Sequence, residues 1–176
     1  MARRSSLFAF VLSALFATVA LAASAQQPPL AATRVVVHKN AHEIVLYHGD
    51  EVLRRYRAAI GPGGGGFKHR EGDKVTPVGH YHVTMHQPSR YHLFLRLDYP
   101  NADDRARFAK LVASGELPKD ATIGGDIGMH GAPPQQEWKA IHKTVDWTLG
   151  CVAVDDAEIE EIGALVKDGT PVEIED

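Results

Sequence analysis

The chain is poor in cysteine: 176 residues carry a single one, Cys151. No intrachain disulfide can therefore form. Basic charge is not in excess either, with a formal net charge of −3 at pH 7. A mildly acidic chain argues against a nucleic-acid partner. Past the N-terminal segment, no apolar run is long enough to span a membrane. Internal repeats are absent, and the only low-complexity stretch is a short glycine run. No set of metal ligands stands at a characteristic spacing.

The start of the chain reads as an export signal. Met1 to Arg4 is basic, and Leu7 to Ala22 is apolar apart from Ser13 and Thr18. Ala23-Ser24-Ala25 then forms a small-residue cleavage site ahead of Gln26. The alternative is an uncleaved anchor, but the cleavage site and the polar Gln26-Gln27-Pro28-Pro29 favour removal. The site has no cysteine, so it is not that of a lipoprotein. Arg3-Arg4 hints at twin-arginine export. The expected organisation is a signal peptide over 1–25, a flexible lead over 26–33 and one domain over 34–176. Loss of Arg3 and Arg4 takes the formal charge to −5. About 150 residues suffice for one compact domain. An unpaired thiol in an exported protein risks oxidation, so its presence is itself a hint of use.

The domain opens with Arg34 to His38, Glu43 to Tyr47 and Val52 to Ile60, three strand-like runs joined by tight turns. They predict an antiparallel meander. Gly61 to Gly66 satisfies G-x-G-x-x-G on paper, but no helix follows, so the dinucleotide reading fails. A mobile loop beside a substrate groove is the better expectation. Thr76-Pro77-Val78-Gly79 opens a strand through His86. His80, His82 and His86 share strand parity, which predicts one face. A metal site there, with His92 as a further candidate, is the sharper reading; solvated or groove-facing histidines is the preferred one. Tyr91 to Asp98 alternates as another strand. Ala102 to Ser114 reads as an amphipathic helix stopped by Gly115, with Asp103 and Asp104 as helix-start residues rather than an acid/base pair. Glycine-rich Thr122 to Met129 predicts a strand delivering His130 into a loop. Gln135 to His142 predicts a short helix with Trp138 in the core. Asp155 and Glu158 form a cap signal before a helix face of Ile159, Ile162, Leu165 and Val166. Val172 to Ile174 is the last strand.

The chemistry gathers around Cys151. His130 precedes it by twenty-one positions. A thiol and an imidazole on nearby segments suit nucleophilic acyl transfer, with the imidazole taking the thiol proton and later returning it. Gly150 permits close approach and leaves the N–H groups of Gly150 and Cys151 as oxyanion donors. The bland alternative is a small buried hydrophobe. A helix N-terminus just downstream predicts a lowered thiol pKa if it points at the sulfur.

His130-Gly131, a spacer ending at Trp147, then Thr148-Leu149-Gly150-Cys151-Val152 resembles the signature of the L,D-transpeptidase catalytic domain, or YkuD, family. That family's usual form is His, a spacer of similar length, then Ser/Thr-His-Gly-Cys-apolar-Asn/Arg. Leu149 replaces the second histidine and Ala153 the Asn/Arg. Trp-Thr-x-Gly-Cys-x-Ala-Val, the Thr76-Pro-x-Gly step and Tyr99-Pro100-Asn101 look like a murein-transpeptidase-like branch.

The resemblance implies a mainly β domain with a few helices, mixed and sandwich-like. It implies peptidoglycan stem peptides as substrate, no cofactor, and a periplasmic or cell-wall location. A murein-linked protein is a further possible partner. Cys151 would be the nucleophile and His130 the base, held by the Gly131 carbonyl. Gly150 and Cys151 would donate to the oxyanion. Thr148, Tyr91 and His92 are candidate substrate-binding residues, Thr148 being equally a packing residue. Two rival outcomes stay open: a hydrolase acting on a D-Ala end or a protein–murein link, and an inactive wall-binding module. A zinc hydrolase is a third idea.

Overall fold

The computed structural model describes residues 30–176. The expected signal peptide and the start of the lead lie outside the described residues. The end of the lead does not hang free. Ala32 is buried and donates to the Leu165 carbonyl at 2.8 Å, and Thr33 donates to Tyr47 at 2.7 Å.

Strands β1 (Arg34–His38), β2 (Glu43–His48) and β3 (Glu51–Arg57) form the expected antiparallel meander. Val35, Val36 and Val37 are all buried, as a continuous β-branched run predicts for a strand covered on both faces. β3 ends at Arg57, before the expected Ile60. The chain then leaves the ladder, and Ala59 exchanges two 2.8 Å backbone hydrogen bonds with Ala153.

Five more strands follow: β4 (Gly79–Ser89), β5 (His92–Leu97), β6 (Gly128–His130), β7 (Val152–Ala153) and β8 (Pro171–Glu175). The described strands form one sheet in the order β3-β2-β1-β8-β4-β5-β6-β7. β8 lies parallel to β1 and antiparallel to β4. β4 serves both halves. Its first residues pair with β8, and the rest pair with β5 after a bulge between Val83 and Met85. The Ala59–Ala153 bridge brings the two ends of the sheet together around a shared core. The fold is therefore mainly β, with a few helices, as expected.

The bulge corrects one expectation. It adds a residue to β4, and an odd insertion reverses which face later side chains take. His80 and His82 are exposed, His82 beside Asp98. His86 instead stands opposite Leu95 and binds Asp168 and the Val166 carbonyl. The three histidines do not share a face.

Helix α1 (Ala102–Ser114) has the expected bounds. Asn101 accepts from the N–H groups of Asp103 and Asp104, and Asp104 accepts from Asn101 in return. These carboxylates start a helix, as the sequence indicates. Its apolar side chains are at most half-buried, so it rides outside the core. The expected helix over 135–142 is shorter: α2 (Gln136–Lys139), then a 3-10 turn at His142–Thr144. Trp138 is 44% exposed, not core. A single helical turn presents too little apolar face to bury it; the segment's buried residue is His142. Helix α3 (Asp156–Leu165) starts at the Asp155/Glu158 capping box and buries Ile159, Ile162, Leu165 and Val166. These pack with Val35, Leu46, Leu95, Met129 and Val152 in one cluster.

Candidate active site

β6 and β7 are parallel neighbours, with His130 in register with Ala153. Cys151 directly precedes β7, and His130 is the last residue of β6 rather than a loop residue. Both line one cleft of about 810 Å³, a volume typical of sites for drug-sized ligands.

His130 is buried and held from three sides. Its Nδ1 lies 2.8 Å from the Gly131 carbonyl. A carbonyl only accepts, so Nδ1 carries the proton and Nε2 is the basic nitrogen. The Tyr91 ring stacks on the imidazole at 4.5 Å, and Trp147 meets it edge-on at 5.7 Å. Phe94 stacks more distantly, at 6.3 Å. Burial pushes the imidazole pKa down to about 4, against a weaker opposing effect of the Gly131 hydrogen bond. Gly131 is required by crowding. A Cβ there would stand 2.6 Å from Asp156 Oδ1 and 2.7 Å from the Tyr91 carbonyl. The close packing is functional in form: Gly131 donates to Tyr91, and Ala132 donates to Asp156.

Cys151 sits in a turn clamped by Thr148. The Thr148 hydroxyl donates to the Cys151 carbonyl at 2.7 Å and accepts from the Gly150 N–H at 3.2 Å. Thr148 is buried. Gly150 has φ +128, and a Cβ would lie 2.8 Å from the Val75 carbonyl. Only glycine fits both limits. The Gly150 N–H is thus engaged within the turn. The Cys151 thiol donates to the Asp126 carbonyl at 3.4 Å.

The expected lowering of the thiol pKa is not found. Burial pushes it up to about 11, only partly offset by a hydrogen bond from Gly128 and by Lys68 and Arg96. The N-cap Asp155 and the first-turn Asp156 and Glu158 place three carboxylates at the start of α3, which answer the helix dipole locally. Burial thus favours the neutral form of both the thiol and the imidazole.

Of the other expected residues, Tyr91 lines the cleft but His92 does not. His92, the first residue of β5, has φ 73, and its ring is turned to Glu160 at 2.6 Å. None of Gly61 to Gly66 lines the cleft. Gly61 donates to Thr76, Gly63 to the Lys74 carbonyl and Gly66 to Asp176. The groove is bordered by the residues that follow the run, including Lys68 and Glu71. Leu149 is 72% exposed at the cleft rim.

Several contributors were not legible in the sequence. Lys68 is buried and paired with Asp73 at 2.5 Å; Arg96 pairs with Asp126. Burial alone would raise the Asp73 pKa. The Lys68 ammonium and backbone N–H groups of Arg70, Val75 and His69 outweigh it and hold the carboxyl low. Arg90 borders the cleft beside Tyr91. Behind Trp147 lies buried His142, bonded to Asp155 at 2.9 Å. Trp147 adjoins Thr148 in the motif and was within reach. The others depend on strand register. Among the described residues, no group of three or more His, Cys, Asp or Glu side chains is placed to hold a metal ion.

A buried imidazole on one strand and a thiol in the turn leading into its neighbour, opening on one cleft of a mainly β domain, define the class of a cysteine–histidine site. The chain belongs to the L,D-transpeptidase catalytic domain (YkuD) family, whose profile matches residues 32–174. Among solved structures it resembles Bd1075 of Bdellovibrio bacteriovorus, at 22% identity and TM-score 0.54, covering 82% of this chain and 48% of that one. It resembles the helical cell shape determining protein Pgp2 of Campylobacter jejuni at 21% identity and TM-score 0.56, covering 82% and 48%. An L,D-transpeptidase from Mycobacterium smegmatis matches at 15% identity and TM-score 0.52, covering 81% and 58%. The chain thus spans about half the length of the first two. At these identities the likeness concerns the fold. No curated protein matches the chain.

Proposed function

We propose that this protein is an exported peptidoglycan L,D-transpeptidase acting on stem peptides in the periplasm or cell wall. The observation that carries the reading is the orientation of His130. Its Nδ1–H is committed to Gly131, which leaves Nε2 as the basic nitrogen, and His130 lines the same cleft as Cys151. Family membership and the Thr148 clamp on the nucleophile turn support it.

In the first step the thiol leaves the Asp126 carbonyl and gives its proton to His130 Nε2 as sulfur attacks the stem-peptide carbonyl carbon. The Cys151 N–H holds the oxyanion, the Gly150 N–H being taken up by Thr148. The carbon–nitrogen bond then breaks. His130 returns the proton to the departing D-Ala amine, leaving a thioester on Cys151. An acceptor amine repeats the sequence in reverse and releases the enzyme.

The test is mass spectrometry of protein lacking residues 1–25, incubated with purified tetrapeptide-stem muropeptides. Cross-linked dimers with loss of D-Ala, absent in Cys151→Ala and His130→Ala, are expected. Shorter stems without dimers would move the reaction to hydrolysis. Unchanged muropeptides and a Cys151 that resists alkylation would leave a wall-binding module.

A further inference from the structure

The cleft holds three cations, and they are not equivalent. Lys68 and Arg96 act on the thiol end, where both help stabilise charge at Cys151. Each is already paired, with Asp73 and Asp126 respectively. Arg90 stands at the imidazole end. Its guanidinium lies over the Tyr91 ring, 4.7 Å from the centroid, and the same ring stacks on His130. Its Nη2 donates to the Tyr91 hydroxyl at 2.5 Å. Among the described residues Arg90's side-chain partner is Tyr91 rather than a carboxylate, and Arg90 is exposed. The stack on Tyr91 holds the fork in place without neutralising it.

We infer that Arg90 is a specificity residue that binds the free terminal carboxylate of the residue leaving the stem peptide. The inference rests on the proposed function. His130 must hand its proton to the leaving amine. In an amino acid the carboxylate is bonded to the same α-carbon as that amine. A cation meant for it therefore belongs one ring away from the imidazole, not beside the sulfur. Arg90 meets that requirement, and a guanidinium suits a carboxylate through paired N–H donors. Ala153 cannot supply such a group. It is fully buried and committed to the Ala59 bridge.

The experiment compares acylation of Cys151 by a tetrapeptide stem with a free terminal acid and by the same stem ending in a carboxamide. Acyl-enzyme is followed by mass spectrometry in wild type, Arg90→Gln and Arg90→Lys. A charge-assisted contact predicts that wild type prefers the acid by about 10- to 100-fold. In Arg90→Gln the preference should collapse toward one, with the carboxamide reacting as in wild type. Arg90→Lys should retain part of it. An undiminished preference in Arg90→Gln overturns the inference. A third peptide keeps the terminal acid but has an amidated side-chain carboxylate on its third residue. If Arg90→Gln abolishes discrimination against that peptide instead, the assignment to the terminal carboxylate is overturned. No acyl-enzyme on any peptide in wild type would remove the proposed function, and this inference with it.

Discussion

Cys151 and His130 share one cleft, and burial favours the neutral form of each. Burial raises the thiol to about 11 and lowers the imidazole to about 4, and both directions favour the uncharged forms over an ion pair at rest. In the proposed reaction the proton therefore moves as the substrate carbonyl arrives. This has a pH consequence. His130 must be unprotonated to act as base, and its pKa is depressed, so activity is held as pH falls until the imidazole finally protonates. The acid limb of kcat/KM should lie near about 4, well below the ordinary 6.5 of histidine. A profile measured from neutral into acid checks this; a limb at 6.5 would mean that His130 is not held as described. Thr148 serves the same pair indirectly. By spanning the turn from the Gly150 N–H to the Cys151 carbonyl, it fixes where the sulfur starts.

At the scale of elements, α3 braces the wall behind the imidazole. Asp155 belongs to its capping box and also binds His142 and Lys143. Burial raises the Asp155 pKa, but Lys143 and His142 outweigh it and leave it lowered. A lowered carboxylate stabilises the fold above its unfolded pKa, and that stabilisation fades as pH falls through the folded one. Asp155→Ala should cost about 1–2 kcal/mol at neutral pH, the usual worth of a cap. The deficit should shrink in acid. Urea unfolding at both pH values measures it. The same helix shows what the sequence made legible. Its cap and its Ile159-Ile162-Leu165 face are local patterns and appear as read, as do α1 and the β1–β3 meander. The β4 bulge and the hairpin that sets Tyr91 against His130 are not local. Register decides them, and register is fixed by distant pairings. Tyr91 was therefore found in the cleft while His92, one residue on, turned to Glu160. Gly150 was legible because a glycine before the cysteine permits close approach, whereas Gly131 was named through the family resemblance and its crowding shows only in the fold. The thiol's raised pKa was not legible, since burial comes from the assembled core.

At the scale of the whole molecule, β8 is the keystone of the sheet. It joins the meander of β1–β3 to the half that carries β4–β7, pairing with one neighbour in parallel and the other antiparallel. Val172 and Ile174 are buried in the common core. Asp176, just beyond, pairs with buried Lys39 at 2.6 Å and accepts from Gly66. A chain ending at Thr170 should fail to fold, shown by loss of cooperative unfolding in circular dichroism; a native-like melt would contradict the central role of β8. Because β8 follows Cys151 in the chain, the sheet that carries the proposed nucleophile cannot be completed until synthesis has passed residues 171–175. A polypeptide threaded across a membrane N-terminus first would stay unarmed for the whole passage. Prematurely terminated products would carry a thiol without a working imidazole beside it. Completion of the last described strand thus becomes a condition of the proposed reactivity, set by strand order.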